Sequence, residues 1–442
     1  MSKYIINGGK PLAGEVSIRG AKNASFKEII ASLLSDQPST ITNIPQISDV
    51  KMTQSIASSL GSQIESYGQH GIKIHTPQIN STVIPQGTGQ KSRTSFIFLA
   101  PLLARNGSIT FPFPGGDKIG TRPLDRLLTA LEQMNVQVSL TKDKISLKSD
   151  QIRATEYTFP KPSHTVTEVL VMLASLTSGH TRLKNAALEP EIDDLISMLN
   201  SMGAKITRQI DEPSTIDIDG VSKLNGTSHQ VISDRNEAVT FACAALATKG
   251  KVNILRIQPN TIKTFLDTIN SMGAQTIIGK DEVYIKWVKQ LKAINITTGP
   301  EPSFMTDWQP IFSLVLSQAI GCSKLIETVF PNRFQHIKIL NLMGVKTNFF
   351  KPIVDDPKTF YQFNTENDAP DLFHGVKICG PSKLVPAKIT VGDLRAGATA
   401  TLAAISANGT SEISGVEFIK RGYENLDGRL QYLGADIKYI KI

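Results

Sequence analysis

One short pattern recurs along the chain and constrains its fold more than any other feature. A helix-like stretch ends in Leu or Met, Gly usually comes next, and a small residue then leads into an alternating strand. The copies are SSLGSQIESYG, EQMNVQVSL, NSMGAKITRQI, NSMGAQTIIG, NLMGVKTNFF and QYLGADIKYI, with the Leu or Met at positions 60, 134, 202, 272, 343 and 433. The first five copies lie about 70 residues apart, and an insert at 350–373 precedes the sixth. Such self-similarity predicts a repeat architecture.

A second shared piece lies upstream of most copies. An Ala- and Leu-rich helix runs into Gly or Asn and then into a β-type stretch, as in LLARNGSITF and LATKGKVNIL. Gly after such a helix is the expected left-handed stop. Six units of helix, strand, helix and strand, with more β structure around them, predict an α/β protein of two domains with three units each. Because the copies are long and divergent, a closed pseudo-symmetric arrangement is favoured over an open stack, with a ligand cleft between the halves.

Length and charge narrow the class of partner. A chain of 442 residues suits two large domains, and 40% hydrophobic with 19% charged residues is typical of a globular protein. The balance of 47 Lys and Arg against 39 Asp and Glu gives a net charge of +8, which favours anionic partners. Because the basic residues do not form runs, an anionic small molecule is expected rather than nucleic acid.

The cysteines and the chain start predict a compartment. The three cysteines, Cys243, Cys322 and Cys379, are odd in number and far apart, so neither a disulfide framework nor a CxxC metal site is expected. A reducing environment follows. The start MSKYIINGGKPLAG has no apolar run fit for a signal peptide, and FIFLAPLLA is too short to span a bilayer. A cytoplasmic protein without a membrane span is predicted.

Basic residues lie immediately before several predicted helices. In RGAKNAS, Lys22 and Asn23 precede the helix FKEIIASLL, where free backbone N–H groups and an ammonium can hold a phosphate. An exposed first-turn lysine is the alternative. Arg93, Arg122 and Arg395 also lie immediately before predicted helices.

Acidic residues offer two further candidate sites. Asp307 lies between apolar neighbours in FMTDWQP, a placement that suits a general base or, alternatively, a helix cap. In NAALEPEIDDL, the acids at 189, 191, 193 and 194 fit either a metal cluster or a helix N-terminus. The second interpretation is favoured because no His or Cys lies at ligand spacing, and no metal is predicted. In ETVFPNRFQH, His336 is interpreted as a packed or surface histidine beside Glu327 and Arg333.

Taken together, the basic residues at repeat-equivalent turns and the isolated aspartates suit two anionic substrates and proton transfer. The sequence contains no GxxxxGKS loop and no GxGxxG fingerprint after a strand, so nothing indicates a kinase or a dehydrogenase. No cofactor is expected.

Six ordered motifs resemble a known family. GGKPLAGEVSIRGAKNAS, PGGDKIGTRPLD, NAALEPEIDDL, ETVFPNRFQH, GDLRAGAT and RGYENL look like the UDP-N-acetylglucosamine 1-carboxyvinyltransferases, the enolpyruvyl transferases that open peptidoglycan precursor synthesis. The resemblance runs from the N-terminus to residue 442. The related shikimate-pathway transferases typically begin their site with a Gly-Ser-Lys-Ser type motif, so Asn23 after Lys22 favours the sugar-nucleotide branch.

The resemblance implies a fold and a reaction. The fold is α/β, with two inside-out α/β barrel domains built from six βαβαββ repeats and joined by two crossings of the chain. The first domain spans 22–231 with the mobile loop 112–125, the second comprises 1–21 and 232–442, and the active site lies in the cleft between them. The enolpyruvyl group of phosphoenolpyruvate moves to the 3'-hydroxyl of UDP-N-acetylglucosamine, and phosphate leaves.

It also implies roles for individual residues. Lys22, Asn23, Arg122, Arg395 and Arg421 are expected to bind phosphoenolpyruvate, and Asp117, Asp307, Lys22 and Arg395 to be catalytic. Residues expected to hold the UDP-sugar are Arg93, Arg122, Pro123, Leu124, Asp125, Arg126, Lys161, Ser163, His164, Asp307, Val329 and Arg333. Neither a metal nor a nucleic acid partner is implied.

Asp117 stands where most family members carry a loop cysteine that acts as general acid. The resemblance implies that the aspartate is a substituted proton donor, and that it resists the epoxide fosfomycin, which alkylates the thiol. Half-protonation near pH 7 requires raising the ordinary Asp pKa of about 3.9 by about three units, or about 4 kcal/mol. Nearby arginines oppose this shift. Either loop closure raises the pKa, which is our hypothesis, or the proton takes another route and Asp117 positions the loop.

Departures from the family pattern keep other functions open. Leu127 replaces a common histidine near the uracil, KPSHT replaces a Val- and Gly-rich stretch, Ile97 replaces a tryptophan and Lys420 replaces an acid. One alternative is a weakly active paralogue with a binding or regulatory role, and another is a 3-phosphoshikimate 1-carboxyvinyltransferase. A third is an RNA-end-processing enzyme related to the RNA 3'-phosphate cyclases, although no stretch of interleaved aromatic and basic residues supports it.

Overall fold

The computed structural model of the chain describes residues 2–90, 93–113 and 124–441. These residues form two compact units. Unit 1 comprises 2–19 and 233–441, and unit 2 comprises the described residues of 20–232. Each unit has three sheets and an apolar core of its own. Among the described residues, no helix has both the length and the apolar character needed to cross a membrane.

The strands follow one another along the chain, and most are short. They are β1 Ser2–Gly8, β2 Ala13–Ser17, β3 Ser39–Thr42, β4 Gln63–Ser66, β5 Ile72–His75, β6 Ser108–Pro112, β7 Gln137–Leu140, β8 Lys144–Lys148, β9 Glu156–Thr158, β10 His180–Lys184, β11 Lys205–Arg208, β12 Ile216–Asp219, β13 Ser228–Gln230, β14 Lys251–Leu255, β15 Gln275–Ile278, β16 Glu282–Lys286, β17 Ile296–Thr297, β18 Gly321–Ile326, β19 Lys346–Phe350, β20 Gly375–Gly380, β21 Lys388–Thr390, β22 Gly409–Ser414 and β23 Asp436–Lys441.

Helices alternate with these strands. The α-helices are α1 Lys22–Ala31, α2 Ser48–Ser59, α3 Gln86–Gly89, α4 Leu99–Asn106, α5 Asp125–Gln133, α6 His164–Ser175, α7 Pro190–Ser201, α8 Arg235–Ala247, α9 Lys263–Met272, α10 Gln309–Gln318, α11 Gln335–Leu342, α12 Pro357–Phe360, α13 Leu394–Ser406, α14 Val416–Ile419 and α15 Leu426–Tyr432. Short 3-10 helices occur at Ser32–Leu34, Arg93–Phe98, Pro259–Ile262 and Thr365–Asn367.

The sheets share one topology. Unit 1 has the orders β2-β14-β16-β15, β17-β18-β20-β19 and β21-β22-β1-β23, and unit 2 has β13-β3-β5-β4, β9-β10-β12-β11 and β6-β8-β7. In each four-stranded sheet the first strand pairs parallel with the second, and the remaining pairs are antiparallel. In the three-stranded sheet, an isolated parallel bridge between Val83 and Thr110 of β6 takes the place of the parallel edge strand. The prediction of an α/β fold with six βαβαββ repeats is confirmed.

Three repeats are completed by strands that lie far away in sequence. In unit 1, β1 pairs with β22 and β23, and β2 pairs parallel with β14, where Val16 faces Ile254. In unit 2, β13 pairs parallel with β3, where His229 faces Ile41. The first two strands therefore belong to the unit that is otherwise built from residues after 232.

Some helices are buried on every side. In α8 all thirteen residues are buried, and in α13 every residue from Leu394 to Ile405 is buried. These two helices pack on α10, which is buried from Gln309 to Ser317. Helices without a polar face belong in the centre of a domain, and the alanines of α8 and α13 allow close approach. In unit 2, α6 is buried in the same way from Val166 to Ser175.

The recurring sequence pattern is a helix-ending motif. The Leu or Met of each copy is the last residue of its helix or the residue directly after it, and it is 0–1% exposed in all six copies, at Leu60, Met134, Met202, Met272, Met343 and Leu433. The residue after it has a left-handed backbone, with φ between 93° and 115° at the five glycines and 65° at Asn135. The next backbone N–H donates to a carbonyl five residues earlier, as from Ala204 to Leu199, at 2.9–3.1 Å in all six copies. This is the Schellman arrangement, and it explains why glycine is the usual residue at the left-handed position.

The expectation that the chain lacks a disulfide is wrong. Cys322 and Cys379 form one, with their Cα atoms 4.1 Å apart. They lie directly opposite each other in the antiparallel pair of β18 and β20. The spacing of 57 residues conceals this pairing because a helix, a strand and the insert intervene. Cys243 is a buried free thiol.

The left-handed position generates a prediction about stability. Gly434 has a φ of 101° and no heavy atom within 4 Å of an added Cβ, so Gly434→Ala introduces backbone strain alone. We expect it to lower the free energy of unfolding of unit 1 by about 1–2 kcal/mol. Urea titration followed by the fluorescence of Trp287 and Trp308, both in unit 1, measures this change.

Gly392→Ala is the matched control. Gly392 also has open space around it, and its φ lies outside the left-handed range. Its substitution should change the free energy of unfolding by less than about 0.5 kcal/mol. Equal effects of the two substitutions would contradict the role given to the left-handed position.

Candidate functional site

Asp307 is held between two arginines in unit 1. Arg333 Nη2 donates to Asp307 Oδ1 at 2.6 Å, and Arg395 Nη2 donates to Oδ2 at 2.9 Å. The two arginine side chains are 5% and 9% exposed, whereas that of Asp307 is 24% exposed. Charge-assisted bonds to both oxygens fix the plane of the carboxylate while one edge stays accessible to solvent. Its surroundings are thus more polar than its apolar sequence neighbours indicate.

Arg395 is fixed from both ends. Asp393 caps α13 by accepting hydrogen bonds from the backbone N–H groups of Arg395 and Ala396, each at 2.9 Å. Arg395 Nη1 donates to the Tyr423 hydroxyl at 2.9 Å, and that hydroxyl is 2.7 Å from Thr240 Oγ1. Burial favours a lower pKa for Arg395, but Tyr423 and Asp307 outweigh burial and raise the pKa above its ordinary value. The guanidinium is therefore a permanent cation.

Glu327 shapes the turn that contains Val329. Its buried carboxylate accepts hydrogen bonds from the backbone N–H groups of Val329 at 2.7 Å and Phe330 at 3.0 Å. It also accepts one from Thr306 Oγ1 at 2.9 Å, next to Asp307. Burial raises the pKa of Glu327, and the two N–H donors act in the opposite direction. The sequence analysis grouped Glu327 with Arg333 but did not identify this structural role.

His336 is packed in the core, as the sequence analysis favoured. Its side chain is 1% exposed, and Nε2 lies 2.9 Å from Ser313 Oγ. Burial, assisted by the positive charge of Arg333, lowers the pKa of His336 to about 3. The imidazole is therefore neutral at physiological pH.

Lys22 begins the first helix of unit 2. It is the first residue of α1, whose N-cap residue, Ala21, provides no side-chain cap. The ammonium forms an ion pair with Asp49 Oδ2 at 2.9 Å. Gly20 permits the close approach of the preceding turn, because a Cβ there would lie 1.6 Å from the carbonyl oxygen of Asn43. Lys22 and Asn23 thus share a helix N-terminus of the kind that receives anions.

His164 belongs to a buried charged network. It is the first residue of α6, after Ser163, and its Nε2 lies 3.0 Å from Glu168 Oε1. Lys27 on α1 contacts the same oxygen at 2.7 Å. Burial favours a lower pKa for His164, but the charge of Glu168 outweighs burial and raises the pKa above its ordinary value. His164 is identified from the sequence without its partners, although Glu168 lies four residues later on the same helix, a spacing at which helical side chains meet. Lys27 lies 137 residues away and belongs to no recognisable motif.

The remaining predicted residues lie on several elements of the two units. Leu124 precedes α5, Asp125 begins it in an exposed position, and the Arg126 carbonyl accepts a hydrogen bond from the Tyr157 hydroxyl at 3.2 Å. Lys161 is half-buried before α6, and Arg421 is half-buried after α14. Asp117, Arg122, Pro123 and the side chain of Arg93 lie outside the described residues.

Leu127 explains one departure from the family pattern. It is 1% exposed and belongs to the apolar core of unit 2. The position that commonly carries a histidine is therefore a packing position in this chain.

Comparison with known proteins identifies the family. The family model of EPSP synthase (3-phosphoshikimate 1-carboxyvinyltransferase) matches residues 6–430. A UDP-N-acetylglucosamine 1-carboxyvinyltransferase from Desulfosudis oleivorans is 35% identical over 440 residues, covering 100% of both chains. The crystal structure of the enolpyruvyl transferase NikO from Streptomyces tendae matches with a TM-score of 0.85 at 22% identity, covering 100% of this chain and 99% of that one. An EPSP synthase from Acinetobacter baumannii matches with a TM-score of 0.73 at 20% identity, covering 100% of both chains.

The fold and these similarities define an enolpyruvyl transferase. The chain belongs to this family and is an enzyme of the 1-carboxyvinyltransferase class. Its full-length similarity at 35% identity is to a protein named for UDP-N-acetylglucosamine, which confirms the family resemblance given by the sequence motifs. The roles of the individual site residues stay predictions.

The lowered pKa of His336 generates a prediction for acid stability. In the unfolded chain this histidine takes up a proton near pH 6.5, whereas in the folded chain it stays neutral down to about pH 3. The unfolded state therefore binds more protons between these values, and stability is lost as pH falls through this window. We expect His336 to cost roughly 2 kcal/mol of stability on going from pH 7 to pH 5.

His336→Gln removes the titrating group and should flatten this part of the stability profile. Urea unfolding at both pH values, followed by tryptophan fluorescence, measures the difference. An unchanged pH dependence in the variant would contradict the assignment of a neutral buried imidazole.

Proposed function

We propose that this chain transfers the enolpyruvyl group of phosphoenolpyruvate to the 3'-hydroxyl of UDP-N-acetylglucosamine and releases phosphate, the first committed step of peptidoglycan precursor synthesis. The observation that carries the proposal is the Asp307 carboxylate held between Arg333 and Arg395. This arrangement places a proton acceptor beside a permanent cation. The full-length similarity to a protein named for this activity supports the choice of acceptor.

The chemistry is an addition followed by an elimination. In the addition, a proton joins the methylene carbon of phosphoenolpyruvate, the sugar oxygen bonds to the neighbouring carbon, and the hydroxyl proton passes to Asp307. In the elimination, the methyl carbon loses a proton, the carbon–oxygen bond to phosphate breaks, and phosphate leaves with the electron pair. The enol ether double bond is thereby restored.

Asp307 is suited to the role of base. A carboxylate offers about four acceptor positions, so hydrogen bonds from Arg333 and Arg395 leave capacity for a substrate hydroxyl. The two arginines hold the carboxylate plane in one orientation, which favours proton transfer from a positioned hydroxyl.

The anionic groups of phosphoenolpyruvate require cations and N–H donors. We assign Lys22 and Asn23, in the first turn of α1, to this substrate together with Arg122, Arg395 and Arg421. The UDP-sugar is assigned to the remaining residues of the predicted set. Asp117 is assigned as proton donor to the methylene carbon. The predicted domains and a cytoplasmic location are part of the same proposal.

The proposed acceptor, UDP-N-acetylglucosamine, can be tested by an assay of phosphate release. The purified chain should release phosphate from phosphoenolpyruvate with UDP-N-acetylglucosamine and not with shikimate 3-phosphate. Asp307→Asn should lower kcat about 100- to 10,000-fold, because the amide cannot accept the hydroxyl proton. Phosphate release under saturating substrates measures both effects.

Asp267→Asn is the control, since Asp267 lies in unit 1 and pairs with Lys263 at the surface. It should leave kcat unchanged. If the chain turned over with shikimate 3-phosphate and not with UDP-N-acetylglucosamine, the proposed acceptor would be wrong. If Asp307→Asn kept full turnover, Asp307 would not be the base.

Asp117 generates a second functional prediction. The native chain should keep its activity during incubation with fosfomycin, because a carboxylate lacks the nucleophilic sulfur. Asp117→Cys should become sensitive, with activity lost progressively over time. Among the described residues, the one free thiol, Cys243, is buried, so the native chain serves as the unreactive control.

The proton-donor role has its own test. Asp117→Asn should lose most turnover because an amide cannot donate the proton. If this variant turns over at the native rate, Asp117 is not the donor.

A further inference from the structure

Three side chains from separate elements of unit 2 converge, and none of them belongs to a predicted substrate residue. Glu28 lies on α1, Asp194 on α7 and His229 on β13. One ligand atom from each lies within 4.8 Å of the other two. His229 Nε2 is 3.1 Å from Asp194 Oδ1 and 3.6 Å from Glu28 Oε1. We call these three residues the Glu28 cluster.

Glu28 is the unusual member. Its side chain is fully buried, and among the described residues no group donates a hydrogen bond to either carboxylate oxygen. The separation of 3.6 Å from His229 Nε2 is too long for a hydrogen bond. A buried carboxyl group without a donor is costly unless another group, such as a cation, compensates it. Glu28 is directed towards the other two side chains of the cluster.

Asp194 is oriented for a ligand. Its Oδ2 accepts the backbone N–H of Ile232 at 2.8 Å, which leaves Oδ1 facing His229. A hydrogen bond to the second oxygen is the usual way in which a protein orients a metal-binding carboxylate. The side chains of Asp194 and His229 are 12% and 11% exposed, so the cluster is open to solvent on one side.

We propose that the Glu28 cluster binds one divalent transition metal ion, best matched by Zn²⁺, through Glu28, Asp194 and His229, with water as the fourth ligand. Donor atoms 2.0–2.1 Å from a tetrahedral zinc lie about 3.3 Å apart. The observed separations of 3.1 and 3.6 Å bracket this value, and the third pair lies within 4.8 Å.

The donor set selects the metal class. Ca²⁺ prefers six to eight oxygen ligands, and Mg²⁺ likewise prefers oxygen ligands to an imidazole nitrogen. One imidazole with two carboxylates suits zinc and its neighbours in the first transition row. The sequence analysis set aside a metal at the acids of NAALEPEIDDL because no histidine lies near them in sequence. The structure brings His229 to Asp194 across a separation of 35 residues.

A metal at this position would join three elements of unit 2. Glu28 lies six residues after Lys22 on the same helix, and β13 is the edge strand that completes the first sheet of the unit. The ion would therefore fix α1 against α7 and β13. The proposed role is structural, and it is independent of the proposed reaction.

Direct metal titration tests the proposal. The full chain is treated with a chelator, desalted and titrated with Zn²⁺ in competition with a chromophoric chelator. We expect one tight equivalent per chain. Titration with Co²⁺ should produce the visible absorption bands of a four- or five-coordinate ion, and Zn²⁺ should raise the thermal unfolding midpoint.

Variants locate the site. Glu28→Gln and His229→Gln should each lower the Zn²⁺ affinity about 100-fold or more. The matched control is His180→Gln, because His180 also contacts two aspartates, Asp217 and Asp219, but at an exposed position. Its substitution should leave the tight equivalent unchanged.

Two outcomes would overturn the proposal. Absence of both a tight Zn²⁺ equivalent and Co²⁺ bands in the native chain would mean that His229, as a cation, simply lies between two carboxyl groups. Unchanged affinity in correctly folded Glu28→Gln, checked by circular dichroism, would place any bound metal elsewhere. The Co²⁺ spectrum of the native chain decides the question even if a variant does not fold.

Discussion

The closing hydrogen bond at the end of each repeat helix is the interaction on which the rest of the structure depends. In all six repeats, a buried Leu or Met ends the helix, the next residue turns left-handed, and the following N–H bonds back to the helix. This junction sets the direction in which the next strand leaves. Because the same junction recurs, three sheets of one topology assemble in each unit and the apolar helices pack inside. The N-terminal ends of helices α1, α6 and α10, which carry or closely follow Lys22, His164 and Asp307, are positioned as a result.

In unit 1 the candidate site is a set of charges that fix one another. Asp307 needs Arg333 and Arg395 to hold its plane, and Arg395 in turn needs the cap of Asp393 and the hydroxyl of Tyr423. Arg333, Arg395 and Tyr423 come from different segments of the chain, whereas Asp393 lies two residues before Arg395. In unit 2 the corresponding positions use a helix N-terminus at Lys22 and a buried network around Glu168. An enolpyruvyl transferase needs fixed cations to bind its anionic substrates and an oxygen atom that can accept a proton.

The sequence predicted what depends on local patterns. The repeat and the α/β class follow from short-range spacing and residue type, and the structure agrees with them. His336 was expected to be a packed or a surface histidine, and the structure shows that it is packed. Contacts across long separations escaped prediction. Cys322 meets Cys379 only through strand register, and Lys27 reaches the His164–Glu168 pair, and His229 reaches Asp194, only when α1, α6, α7 and β13 are in place. The spacing of residues along the chain does not reveal such contacts, because the contacts depend on how the intervening helices and strands pack against one another.

The pairing of β1 and β2 with strands from the far end of the chain has a consequence for biosynthesis. These two strands leave the ribosome before unit 2, yet their partners β14, β22 and β23 emerge only after all of unit 2 has been synthesised. Domains generally fold as units while the nascent chain grows. Unit 2 can therefore fold early, whereas β2 must wait until β14 has been synthesised and β1 must wait longer, until β22 and β23 have been synthesised.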